Sequence, residues 1–419
     1  MTEGQVVAEE VPPGYKRTEV GVVPEEWGIA SLGEIATIAT GSTPPTHVPE
    51  NYGDEYLFVS PMDLGKIKYV TDTNKRLSEK GFEISRRFPA NTILFVSIGS
   101  TIGKCGIASV ELTSNQQINA VFPSCSFSTD YLYYILCSIA PRIRALAGEQ
   151  AVPIVNKAQF SEVVVPLPPL PEQHAIASAL SDTDGLIGAL DALIAKKRAI
   201  KQAAMQQLLT GKIRLSGFEC RWSEKPLGEL ASITMGQSPP SRYYNLCGDG
   251  LPLIQGNTDL VERRTVARVW TTQASKYCDA GDLLLTVRAP VGSVGIATQD
   301  SCLGRGVCGL KPLGDSAFLF QALINSEARW RILEQGSTFT SANSKQIEQF
   351  CVAAPEDERE QRAIAAVLSD MDAEIVALER RRGKAEQIKQ GMMQELLTGR
   401  IRLIDPPEAP RHDPALRPP

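Results

Sequence analysis

Two glycine-rich stretches have spacings that could serve phosphate chemistry. Gly304 to Gly309 (GRGVCG) fits G-x-G-x-x-G, whose glycines bring backbone amides to a pyrophosphate when they sit between a strand and a helix. No helix start follows Gly309, and the matching stretch in the first half of the chain, NQQINA from Asn115, has no glycine, so a turn is expected instead. Gly99 to Cys105 (GSTIGKC) resembles a phosphate loop, but three residues rather than four separate its glycines. Cys105 also stands where a Mg²⁺-binding Ser or Thr is required. Enzymes that methylate DNA amino groups use a polar-Pro-Pro-aromatic motif whose ring stacks on the flipped base. Here Ser238-Pro239-Pro240 is followed by Ser241 and Asp405-Pro406-Pro407 by Glu408, so neither has the ring. No Asp or Glu has Lys two residues later, as metal-dependent nucleases commonly need, and His47, His174 and His412 are too dispersed for a metal site or a Ser-His pair. No hydrolytic or transfer site can be nominated.

The elements that carry these stretches come in duplicate. Residues 172–215 align without a gap to 360–403 at an offset of 188, with 25 identities in 44 positions. Before each copy lies a weaker repeat: Trp27 and SLGEIATIATGSTPPT from Ser31 match Trp222 and PLGELASITMGQSPPS from Pro226. Further on, FPANTILFVSIGSTIGKCGIA from Phe88 matches CDAGDLLLTVRAPVGSVGIA from Cys278, and Gly148 with NKAQF from Asn156 matches Gly336 with NSKQI from Asn343. The order is therefore variable, constant, variable, constant.

The constant units read as long helices. Ile176, Leu180, Thr183, Ile187, Leu190 and Ile194 step by four and three, with Leu186, Leu193 and Ile200 widening the stripe. Ile364, Leu368, Met371, Ile375, Leu378, Ala385, Met392 and Leu396 keep the same rhythm, and Gly211 and Gly399 supply C-terminal stops. Each helix should run about 55 Å and pair with its duplicate. The variable units, with β-rich runs at Thr92 and Asp282 and helical patches from Tyr131 and Phe318, read as mixed α/β globules.

Composition agrees with a multidomain globular chain: 419 residues, 43% hydrophobic and 22% charged. The nine cysteines form no C-x-x-C pair and read as buried, reduced thiols of a cytoplasmic protein, and neither a signal peptide nor a membrane span is expected. A net charge of −5 argues against nucleic acid as a partner on its own. Residues 15–150 hold 12 basic against 14 acidic side chains, and residues 216–350 hold 13 of each, so only local basic surfaces are available.

PLPPLPEQHAIASALSDTD from Pro166, its echo EREQRAIAAVLSDMD from Glu358, and the twin endings QLLTGKIRL and ELLTGRIRL resemble the DNA specificity subunit of type I restriction-modification enzymes. The G-x-[ST]-P-P loops resemble that family's target recognition domains, and the likeness spans residues 15–403. It implies an α+β chain: two mixed α/β target recognition domains and two long helices pairing as an antiparallel coiled coil, a pseudo-two-fold internal repeat. The expected divisions are a disordered 1–13, recognition domain 14–170, helical spacer 171–215, recognition domain 216–355, helical spacer 356–403 and a disordered, Pro-rich 404–419.

The resemblance further implies that each recognition domain reads half of a bipartite, asymmetric target in double-stranded DNA. The helices then act as a ruler and dock two modification subunits, with Ile176, Leu180, Ile187, Leu190, Ile194, Ile364, Leu368, Met371, Ile375 and Leu378 expected to serve the coiled coil and subunit docking. Those partners methylate adenine at N6 with S-adenosylmethionine, and restriction subunits add ATP- and Mg-dependent cleavage, so this chain needs no cofactor. Half-sites about one turn apart, ~34 Å, suit such a ruler.

Candidate DNA contacts follow from residue chemistry. Arg288 and Arg305 suit guanine, and the loop amides Asn115, Gln116, Asn119, Gln255 and Asn257 suit adenine. Lys104, Arg242 and Lys345 are candidate phosphate ligands, with Ser42, Thr43 and Ser238 as hydrogen-bonding neighbours. Two alternatives stand beside this reading. A coiled-coil scaffold binding only protein would give no gel shift with the modification subunit added. A stand-alone methyltransferase or nuclease would act without partners.

Overall fold

The computed structural model describes residues 11–148, 151–330 and 341–404. Its contacts divide the chain into two compact units, residues 1–189 with 383–419, and residues 190–382. The sequence-matched Gly336, the end of the helical patch from Phe318, and most of the two expected disordered ends lie outside the described residues; Val11–Pro13 are exposed. Among the described residues no helix is long and apolar enough to cross a membrane.

In the first unit a five-stranded sheet runs in the order Ile38–Thr40, Ile118–Val121, Ile93–Val96, Cys105–Ala108, Tyr69–Val70. A second sheet runs Tyr52–Gly53, Lys75–Leu77, Tyr56–Val59, Leu112–Ser114, Arg87–Phe88. The central strand Ile93–Val96 is buried throughout. Ile93 and Phe95 join a core with Tyr131, Tyr134 and Ile135 of the helix Thr129–Ala145, whereas Leu94 and Val96 join one with Leu57, Val59 and Phe88 of the second sheet. A strand covered on both faces has no reason to alternate with polar residues, which accounts for the unbroken run ILFV.

The second unit repeats the plan. Its six-stranded sheet runs Ala231–Met235, Val307–Pro312, Leu283–Thr286, Val294–Ile296, Arg264–Thr265, Leu260–Val261. Tyr244–Asn245, Trp270–Thr271, Leu251–Ile254, Ser301–Leu303 and Tyr277–Cys278 form the other sheet. Leu283 and Leu285 face the helix Ser316–Asn325, and Leu284 faces the opposite way toward Ile254 and Leu303. Each unit is closed by one antiparallel pair, Gly28–Ser31 with Val164–Leu167 and Trp222–Pro226 with Cys351–Pro355.

The constant segments form helices Leu170–Leu208 and Glu358–Leu396, each 39 residues or about 58 Å. Ile176, Ala177 and Leu180 at the start of the first pack with Leu396 and Leu397 at the end of the second. Met205 and Leu208 pack with Ile364 and Leu368. In the second unit Asp191 pairs with Arg382 (2.6 Å), Arg198 with Glu379 (2.5 Å) and Lys201 with Asp372 (2.6 Å). Partner numbers fall as the first helix advances, so the helices run antiparallel. Asp184 and Lys389, the duplicates' counterparts of Asp372 and Lys201, pair at 2.6 Å in the first unit.

Two expectations need correcting. Leu186, Leu193 and Ile200 do not widen the seam; they are 43%, 38% and 45% exposed. Each is therefore outside the buried seam of its own unit. The cysteines are free, as expected, but only Cys105, Cys278, Cys302 and Cys308 are buried, while Cys125, Cys220 and Cys247 are exposed.

Candidate nucleic-acid interface

Four loops meet at one edge of each unit, and the same backbone bonds join them in both. In the first unit Gly41 N–H donates to Ile118 O (3.0 Å), Ser42 N–H to Ser114 O (2.9 Å), Asn115 N–H to Val59 O (3.0 Å) and Ser97 N–H to Gln117 O (2.8 Å). In the second, Gly236 N–H donates to Val307 O (3.0 Å), Gln237 N–H to Leu303 O (2.8 Å), Gly304 N–H to Ile254 O (2.7 Å) and Val287 N–H to Gly306 O (2.9 Å). The result is a cradle of strand ends.

The opening glycine of each G-x-[ST]-P-P loop is required by close approach. A Cβ at Gly41 would overlap the Asn115 carbonyl oxygen, and one at Gly236 would overlap that of Gly304. GRGVCG spans the turn Gly304–Gly306 between Ser301–Leu303 and Val307–Pro312 and the start of the second of those strands, not a strand-to-helix loop. A Cβ at Gly306 would collide with the Gln255 carbonyl, so the glycines seat the turn and leave Arg305 exposed at its tip. GSTIGKC is likewise the turn between Ile93–Val96 and Cys105–Ala108.

The cradle of the first unit collects Ser42, Thr43, Asn115, Gln116 and Lys104. Ser42 Oγ accepts from Arg86 N–H (2.8 Å), while Thr43 Oγ1 donates to Gln116 Oε1. Asn115 is tied to Gln117, its Nδ2 donating to Oε1 (2.9 Å) and its Oδ1 accepting from Gln117 N–H (3.0 Å). Lys104 Nζ donates to Pro61 O at 3.5 Å. Asn119 is a correction: it lies in the strand Ile118–Val121 rather than a loop and is only 2% exposed. Its Oδ1 accepts from Thr40 Oγ1 (2.7 Å) and its Nδ2 donates to Val155 O (3.4 Å), so this amide belongs to the core.

The second cradle collects Ser238, Gln255, Asn257, Arg288 and Arg305. Ser238 Oγ accepts from Arg305 N–H at 3.1 Å. Gln255, Asn257, Arg288 and Arg305 are exposed, and among the described residues none of their side chains has a hydrogen-bond or ion-pair partner. Arg242 follows the Pro-Pro step with its guanidinium 4.9 Å above the Tyr243 ring. Lys345 is exposed on the helix Ser344–Glu348, which packs against Leu227–Leu230 at the start of the strand whose far end bears the cradle. It is not brought to the loops.

The helix residues fall in the seam as the periodicity predicts, but buried there they are not available to dock another subunit, which corrects that part of the expectation. Ile176, Leu180, Leu190, Ile194, Ile364, Leu368 and Ile375 are buried, and Ile187, Met371 and Leu378 are half-buried. Sequence reasoning missed the contact that ends each helix pair. Glu172, buried at 2% exposure, accepts from Trp27 Nε1 (3.1 Å) and from Arg402 through Nε and through Nη2 (2.8 Å). Glu360, fully buried, accepts from Trp222 Nε1 (3.3 Å) and from Arg214 through Nε (2.5 Å) and Nη2 (2.6 Å). The bidentate bonds to Glu172 push the Arg402 pKa upward, and those to Glu360 do the same for Arg214. The signal was present: Trp, Glu and Arg recur among the duplicated residues.

A protein family described as type I restriction modification DNA specificity domain matches residues 24–197 and 220–390. A protein of Methanocaldococcus jannaschii, provisionally named type I restriction enzyme MjaX specificity subunit, is 30% identical over 418 residues, covering 93% of this chain and 97% of its own. The chain is similar in fold to one from a structure on complex assembly and conformational transition of the type I R-M system, with a TM-score of 0.62 and 23% identity, covering 90% of this chain and 99% of that one. The S subunit of a type I restriction-modification system from M. genitalium gives a TM-score of 0.59 at 17% identity, over 88% of this chain and 96% of its own.

Proposed function

Because the chain belongs to the type I restriction-modification DNA specificity family, we propose that its two strand-end cradles each read one half of a bipartite, asymmetric target in double-stranded DNA. The chain is a specificity subunit rather than an enzyme. The observation that carries the reading is the pair of cradles with one backbone plan and different exposed side chains. Unpaired Arg288 and Arg305 suit bidentate contact with guanine O6 and N7, and the free Nε2 of Gln116 suits adenine or a neighbouring acceptor. Lys104 and Arg242 serve phosphates, which position the protein without reading sequence.

The antiparallel helices then set the number of base pairs between half-sites, and exposed apolar side chains of the first helix, such as Leu193 and Ile200 in the second unit, contribute to docking modification subunits. Two of those subunits methylate adenine at N6 with S-adenosylmethionine, and restriction subunits use ATP and Mg for cleavage. This chain carries none of those cofactors and works in the cytoplasm.

The test is methylome sequencing of cells with and without the chain. Its loss should abolish one split N6-methyladenine motif. Inserting one heptad into each long helix, about 10.5 Å of added length, should then lengthen the spacer of that motif by about three base pairs. An unchanged spacer would discard the ruler.

A further inference from the structure

The loop that follows the strand Tyr56–Val59 is built to hold still. Asp63 Oδ2 accepts from Ser60 N–H (2.8 Å) and Ser60 Oγ (2.6 Å), and Asp63 Oδ1 accepts from Asn74 N–H (2.9 Å). Lys104 reaches the Pro61 carbonyl from the neighbouring turn, and Gly65 N–H donates to Cys105 O at 3.2 Å. Pro61 and Leu64 point inward and are buried. Between them Met62 is 68% exposed, matched in exposure among the described large apolar residues only by Leu313 and exceeded by Leu246.

The second unit uses the same device with a different payload. Asp259 Oδ2 accepts from Gln255 N–H (2.7 Å) and Gly256 N–H (3.3 Å), pinning a loop in the same place after the strand Leu251–Ile254. Its exposed side chains are Gln255, Asn257 and Thr258. One pinned loop therefore presents a thioether and its counterpart presents two amides and a threonine hydroxyl, both at the cradle edge. Among the groups that base pairs display in the major groove, the 5-methyl of thymine is the apolar one, and it is read by apolar contact. Methionine, polarizable and unbranched, shapes itself to such a group.

We infer that Met62 is a specificity-determining residue that covers the 5-methyl group of a thymine in the half-site read by the first unit. This rests on the reading that the cradle edge faces the bases. Uracil in place of thymine removes that methyl and nothing else. The experiment scans uracil through both half-sites of the methylome-defined duplex and measures binding by the chain with its modification subunits, for the wild type, Met62→Ala and Met62→Gln. In the first unit's half-site, one uracil position should weaken wild-type binding about fourfold, the worth of one buried methyl-sized group. At that position Met62→Ala should show no further loss, while uracil elsewhere acts equally on both proteins. Met62 is exposed, so folding is not at issue. If no uracil position matters to the wild type, or the variants remain as sensitive as the wild type, the inference is overturned although specific binding stands. If the complex shows no sequence-selective binding at all, the cradle reading and the inference fall together.

Discussion

The two cradles share their backbone and not their side chains, whereas the two Trp-Glu-Arg clasps share both. Where the first cradle engages amide groups internally, the Gln116 carbonyl with the Thr43 hydroxyl and Asn115 with Gln117, the second leaves Arg288 and Arg305 bare. The shared bonds of the clasps differ by a few tenths of an ångström, and the first clasp adds one ion pair, Arg402 with Glu26 at 2.8 Å. Side chains are alike where each unit closes and unlike on the surface proposed to read bases.

The comparison can be broken most severely at a clasp. Glu172→Ala would leave Trp27 without its acceptor in the first unit and strip Arg402 of its buried partner, leaving it only the more exposed Glu26. Removing one partner of a buried ion pair costs about 3 kcal/mol or more, so urea unfolding should show a first transition at clearly lower denaturant. Glu360→Ala should do the same to the second unit. A next, smaller effect is expected at Arg305. Its replacement by alanine should weaken binding to the second half-site by about 2 kcal/mol and relax selection at one guanine, with discrimination in the first half-site unchanged. Gel-shift titration with singly substituted duplexes reads both.

A third outcome separates the cores. In the first unit Phe95 lies opposite Asn119, and in the second Leu285 lies opposite Cys308, so a buried amide and a buried thiol occupy equivalent places. Burial pushes the Cys308 thiol from its usual 9.0 up to about 12. A group whose pKa is raised by folding stabilises below its unfolded pKa and loses that contribution as pH climbs toward the folded one. By pH 10 the unfolded thiol is mostly ionised, and Cys308 should cost about 1 kcal/mol of stability relative to pH 8. Urea unfolding at the two pH values, with Cys308→Ala as the control that lacks this increment, checks the sign. The smallest effect is expected at Gln116, whose carbonyl is engaged by Thr43. Gln116→Ala should cost about 0.5 kcal/mol of DNA affinity, confined to the first half-site in the same titration.

Much of this architecture was legible in the residues. The long helices show as a four-three rhythm because a paired helix must repeat its apolar seam, and the doubly covered strands show as ILFV and LLLT. Other features depend on distances that local pattern does not carry. Periodicity grouped Leu186, Leu193 and Ile200 with the seam because exposed apolar positions can repeat at the same spacing as buried ones. Asn119 read as a loop amide because nothing nearby in sequence names Thr40 and Val155 as its partners. Glu172 drew no attention in the sequence because the arginine that accounts for its burial is 230 residues away.

That separation inverts the order in which the chain can mature. Arg214 and Glu360 both belong to the stretch from Leu190 to Arg382, so the second unit has all its closing groups once that stretch has left the ribosome. The first unit, begun earlier, waits for Arg402 before Glu172 gains its counter-ion. The part translated first is completed last, and a nascent chain halted between these points would carry a finished second unit beside a first one whose buried carboxylate has no cation.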